Sequence, residues 1–326
     1  MIVAAAALGL TLMAQQAAAA EAHDPPRLVA RGVTDLPGAV PDDRGPDGNS
    51  IIFDAPQGFV VVDTGRHTWK SDQILAFAHE SGRPIVAIIN THWHLDHTSG
   101  NRRIKAVFPS ARVYATNAVD RALGPEGFLT RNLANARAHA NDPGQGEAQR
   151  DETAGFIATM DASASLRPDV VVSHTGRLRV AGKRFDVHVT NGAVTDADLW
   201  LYDRDTHVAV LGDLVTFPAP FFETACPQRW SEALDEVWAT PFTIAVPGHG
   251  APMSRAEFDD YRHAYNAFIA CTRTEAEARQ CATGWADGIA YFVPNDTSRE
   301  AALAYAEYYV GYLRENHGKS PGCLRE

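Results

Sequence analysis

Short apolar runs rich in β-branched residues alternate with polar, helix-period stretches along this chain. The densest run, Pro84-Ile85-Val86-Ala87-Ile88-Ile89, predicts a strand buried on both faces. Upstream, residues 50–53 and 58–62 predict two paired strands around Ala55-Pro56-Gln57, the second ending in Asp63-Thr64-Gly65. A helix is expected over about 71–80, another from near Asn101, and a strand over 112–115. Such alternation argues for a layered α/β architecture. Residues 42–49 read as a loop by their Gly, Pro and Asp content.

The pattern changes over about 124–168, where Ala, Asn, Arg, Gln and Glu dominate and Pro143-Gly144-Gln145-Gly146 separates two expected helices. This insertion is either a lid over a site or a solvated helical pair. Strands are expected again over 170–173, 177–180, 184–190, 198–203 and 207–212, and the chain turns helical from Arg255 onward. Tyr305, Tyr308, Tyr309 and Tyr312 fall at i, i+3, i+4 and i+7, one helical face, and read as core packing.

Charge and cysteine usage narrow the classes. A net charge of -11 without a basic patch argues against a nucleic-acid partner and says little about substrate; a small-molecule substrate is the partner expected. Residues 2–13 are apolar, and Ala17 to Ala20 supply small residues before Glu21, so 1–20 reads as a signal peptide even though no Lys or Arg precedes the apolar stretch. The run is too short for stable membrane insertion, so a periplasmic or secreted location is expected. Four cysteines fit an oxidising compartment and allow three pairings. The reading favours structural bridges Cys271–Cys281 and Cys226–Cys323; no Cys-x-x-Cys motif is present.

Thr91-His92-Trp93-His94-Leu95-Asp96-His97 carries the candidate chemistry, with three imidazoles and a carboxylate in the pattern His-x-His-x-Asp-His. It lies where the 85–89 strand ends. In extended chain His92 and His94 share a face and Trp93 points the other way, while a following turn brings Asp96 and His97 to a neighbouring point. Nitrogen and carboxylate donors together suit zinc.

These residues, with Asp63-Thr64-Gly65, Gly212-Asp213 and Pro247-Gly248-His249-Gly250, make residues 30–255 resemble the metallo-β-lactamase superfamily. The resemblance implies a four-layer αββα sandwich over 21–255, here with a C-terminal helical extension over 256–326. It implies metal ligands His92, His94, Asp96, His97, Asp213 and His249, with Asp63 buttressing the metal loop and Asp213 bridging the two sites. Where the family carries a histidine followed by threonine, this chain reads Ala193-Val194-Thr195-Asp196-Ala197-Asp198. Valine cannot bind metal; His188 is too far along the strand to substitute, and His174 would need an inward loop. The expectation is one tight zinc at Asp96, His97 and His249, and a weak or absent second.

The activity so implied is an exported zinc hydrolase using a metal-activated water on an amide, lactone or ester, with Asp96 and Asp213 catalytic. Phe217, Phe221 and Phe222, just after the bridging aspartate, are the candidate substrate contacts. Two other readings stand beside it: a non-enzymatic or impaired metal-binding member, and an iron-dependent sulfur-oxidising one.

Overall fold

A computed structural model describes residues 23–41, 44–316 and 323; the 1–20 leader expected above lies outside them. The first half builds one sheet. Its strands are β1 (Arg27–Ala30), β2 (Val33–Leu36), β3 (Ser50–Ala55), β4 (Gly58–Val62), β5 (Ile85–Ile89), β6 (Arg112–Ala115) and β7 (Val170–Val171), side by side in that order. The first four pair antiparallel and β4 to β7 run parallel. Helices α1 (Thr68–Glu80), α2 (Leu95–Thr98) and α3 (Asn101–Val107) fall within this half, and α4 (Ala118–Ala122), α5 (Phe128–His139) and α6 (Glu147–Asp161) separate β6 from β7.

The second sheet contains β8 (Gly176–Val180), β9 (Lys183–Asn191), β10 (Ala197–Asp203), β11 (Val208–Gly212), β12 (Ile244–Pro247) and β13 (Met253–Ser254), in reverse spatial order. Only β11 and β12 are parallel, joined through α7 (Pro227–Trp238). Helices α8 (Arg255–Thr272), α9 (Ala278–Gly288) and α10 (Asp296–Glu315) follow.

Three buried clusters define the layers. Ile51, Phe53, Val60, Val62 and Ile89 of the first sheet meet Phe185, Val187, Leu201 and Val210 of the second. The opposite face of the first sheet packs Ile52, Val61 and Ile88 on Ile74 and Ala78 of α1 and Ile104 of α3. The outer face of the second packs Trp200, Tyr202 and Leu211 under Trp230, Tyr265, Trp285 and Val310 of α7 to α10. The order is therefore helix, sheet, sheet, helix, as the family resemblance implied. Strands sandwiched this way lose polar-out alternation, which is why β4 and β11 are buried throughout.

Several elements fall outside the sequence expectations. β1 and β2 are four-residue pieces whose Arg, Thr and Asp blur the apolar signal. β12, β13 and α7 were not anticipated, although α7 opens with Pro227 in its first turn, a helix-start signal. The strand expected over 170–173 shortens to two residues because it is the sheet's edge. The tyrosine face divides: Tyr309 is 4% exposed, whereas Tyr305 and Tyr308 are 49% and 55% exposed, correcting the core reading for those two. Among the described residues no helix is long and apolar enough to cross a membrane. The two expected cysteine pairs, Cys226 with Cys323 and Cys271 with Cys281, lie at bonding distance.

Candidate metal centre

Two parallel strand pairs, β4–β5 and β11–β12, end at one edge of the sandwich, and each end carries one of the motifs. Asp63 follows β4 with φ of +60°, a left-handed conformation that aspartate tolerates better than most residues. Its carboxylate accepts hydrogen bonds from Thr91 N and Thr91 Oγ1 at 2.8 and 2.7 Å, and contacts His97 Nδ1 at 2.8 Å. Gly212 and Gly248 bring the Asp213 and His249 loops together; a side chain on Gly248 would run into the Asp213 carboxylate.

The hydrogen bonds assign the imidazole protons. His97 donates from Nδ1 to Asp63, so Nε2 faces the cluster. Thr91 gives its hydroxyl proton to Asp63, so it accepts from His92 Nδ1 at 3.0 Å and again leaves Nε2 facing inward. His94 differs. Thr224 Oγ1 donates to Val194 O at 2.9 Å and so accepts from His94 Nε2, also at 2.9 Å.

Two groups of three converge: His92, His97 and Asp213, and Asp96, His97 and His249. His249 Nε2 lies 3.0 Å from Asp96 Oδ2 and 3.3 Å from His97 Nε2; Asp213 Oδ1 lies 3.1 Å from His97 Nε2. His94 stands outside both groups. Val194, where a third histidine would sit, is buried in the apolar core over the second sheet. Its N–H and that of Thr195 donate to Asp198, whose carboxyl burial pushes up to about 7. His174 is exposed and His188 stacks on Trp200 with ring centroids 3.7 Å apart, so neither enters the cluster.

The donor set fits a divalent cation. His92 Nε2 and Asp213 Oδ1 are buried without a hydrogen bond, the latter close to His97 but out of line for one. Burial disfavours charge on His97, yet Asp213, Asp96 and Asp63 override it and hold the imidazole well above its usual range. Burial likewise opposes charge on Asp96, but His97 and His249 hold it well below the usual carboxylate range. Burial keeps His92 well below the histidine range and His94 at about 4. Buried carboxylates that recruit protons onto their neighbours are a site in want of positive charge, and a metal would displace those protons.

Several supporting residues carried no local signal. Asn49 donates from Nδ2 to Pro247 O and Gly250 O at 3.0 and 2.8 Å, clamping the His249 loop from 198 and 201 positions away. Arg66 lies 3.8 Å from Asp96 and 3.6 Å from Glu152 of α6. His67 bridges Asp47 and the same Glu152.

Above the cluster opens a cavity of about 1410 Å³. Asp96, Asp213, His94 and His249 form part of its lining, as do Phe128 and Phe156 of α5 and α6 and Tyr305, Tyr308 and Tyr309 of α10. The inserted helices therefore wall the site rather than standing apart in solvent. Phe217 and Phe221 also line it. Phe222 does not: it is fully buried against Trp230, Tyr265 and Phe268, correcting its reading as a substrate contact. Trp93 packs with Leu95, Leu129 and Met160 beneath α5 and α6.

A four-layer sandwich with this donor set at its edge defines a class of metal-dependent proteins. The family model of the metallo-beta-lactamase superfamily matches residues 43–249, and the chain belongs to that superfamily. A linear primary-alkylsulfatase of a Pseudomonas species is 27% identical over 225 residues, covering 63% of this chain and 42% of that protein. The solved sec-alkylsulfatase Pisa1 from Pseudomonas superposes with a TM-score of 0.58 at 17% identity, over 88% of this chain and 49% of that one. A metallo-beta-lactamase from Pontibacter korlensis gives 0.53 at 17% identity, over 74% and 98%. The chain thus spans less than half the length of the alkylsulfatases it matches.

Proposed function

We propose that this chain is an exported metal-dependent hydrolase of an ester, lactone or amide, with one tight zinc at Asp96, His97 and His249. The observation carrying this is the convergence of those three donors at the base of a large, partly aromatic cavity. When bound, a divalent cation lowers the pKa of a water and polarises the bond to be cleaved. The chain's own residues do the rest. Asp63 fixes the His97 tautomer, Asp213 lies 3.6 Å from His92 of its own group and from His249 of the other, and Asp96 is placed to accept a proton. His94, neutral and anchored on Thr224, presents its ring at the cavity rather than to the donor groups. Phe217 and Phe221 supply apolar surface for the non-reacting part of the substrate.

Among esters, the alkylsulfatase relative favours testing an alkyl sulfate first. The test pairs metal analysis by mass spectrometry with hydrolysis of an alkyl sulfate, a lactone, a carboxylic ester and a chromogenic cephalosporin. About one zinc per chain with turnover of one class supports the reading. Asp96→Ala and His249→Ala are expected to lose metal and turnover together. Retention of full metal content by both variants would sink the assignment.

A further inference from the structure

The cavity wall farthest along the sequence combines two features that do not suit a plain hydrocarbon arm. Phe221, Tyr305, Tyr308 and Tyr309 all line it, and so does Glu223. The rings form a continuous series leading away from the metal-centre histidines. Phe221 lies edge to face with His94 at 5.4 Å, Tyr309 with Phe221 at 6.3 Å, and Tyr308 with Tyr309 at 5.0 Å between centroids. At the end of the series the Tyr308 hydroxyl donates to Glu223 Oε1 at 3.4 Å. A carboxylate set among aromatic side chains raises the cost of placing a hydrocarbon there, because burying it unpaired is expensive. The same arrangement attracts a cation twice over, through the negative ring faces and through the carboxylate.

We infer that this wall is a subsite for a quaternary or tertiary ammonium group on the non-reacting arm of the ligand. The inference rests on the cavity being the substrate site, and names the chemistry at one end of it. It also explains why Tyr305 and Tyr308 stay half exposed on a helix that otherwise buries its apolar face: they serve the cavity. Arg66, which lines the same cavity, pairs with Asp96 and Glu152 at the metal-centre edge.

Choline and 3,3-dimethylbutan-1-ol share a shape and differ in charge, and neither contains a bond for a hydrolase to cleave. Their binding to the full protein as purified is measured by isothermal titration calorimetry. Choline is expected to bind about tenfold more tightly than its neutral isostere, on the order of one partly desolvated cation–π contact. Glu223→Gln, which keeps a hydrogen-bond acceptor for Tyr308, is expected to remove most of that preference. Tyr308→Ala, at a half-exposed position, is expected to weaken choline several-fold while changing the neutral probe less. Equal binding of the two probes, no binding of either, or a preference untouched by Glu223→Gln overturns the inference. Because no turnover enters the measurement, failure of the hydrolysis panel bears on the proposed function and leaves this result independent of it.

Discussion

At the scale of single residues, Thr224 decides the role of His94. Its hydroxyl proton goes to Val194 O, so it can only accept from His94 Nε2, and it holds the ring where His94 joins neither donor group. Thr224→Val removes that acceptor without changing the side chain's volume greatly. It is expected to strengthen binding of a second metal, and combined with Val194→His to strengthen it further than either change alone. Competition with a chromophoric chelator measures both, and second-site affinities unchanged from the parent would contradict the account. The stability cost of Thr224→Val should be about 1–2 kcal/mol, for two buried hydrogen bonds lost. The motif at 92–97 was legible because its residue types are rare together. The Thr224 contact was not, since it joins positions 130 apart.

At the scale of elements, α6 is tied to the metal-centre edge by one corner. Glu152 meets His67 Nε2, and Asp47 meets His67 Nδ1. Burial pulls the His67 imidazole down, but the two carboxylates override it and raise it from 6.5 to about 9. The folded state therefore binds the proton more tightly than the unfolded chain does. Its stabilisation is complete below pH 6.5 and is lost as pH rises through about 9. Thermal unfolding of the parent should lose stability across that window, whereas His67→Gln should show a flatter profile. Parallel profiles would remove the contact from any role in stability. The helices α5 and α6 were themselves readable from the Pro143–Gly146 break. Their placement against the cavity was not, because neither carries a strong apolar face; α6 buries only Met160.

At the scale of the whole molecule, two covalent links of very different span brace the C-terminal part of the chain, one from Cys323 to the start of α7 and one between α8 and α9. Cys226 and Cys323 are 97 residues apart, Cys271 and Cys281 only 10. Loop-closure entropy assigns about 4–5 kcal/mol to the first and about 2–3 kcal/mol to the second. Guanidinium unfolding of Cys323→Ser and Cys281→Ser should rank them in that order; the reverse ranking would place the stabilisation in local packing instead. The longer link also joins Cys323 to Cys226, the N-cap of α7, a few positions from Glu223 and Thr224.

The resemblance to a family picked out Asp213 and His249, while the amino-acid sequence by itself determined the α/β alternation, the strands at 85–89 and 112–115 to the residue, and the donor types gathered at 92–97. These follow from periodicity and local chemistry, which act over a few residues. Tertiary structure alone decided that His94 turns to Thr224, that Phe222 is core while Tyr305 and Tyr308 face the cavity, and that Asn49 clamps the His249 loop. Each of these depends on which of several equally polar or apolar neighbours a residue meets. That choice is made when two sheets and their helices close on one another, across separations that no local pattern encodes.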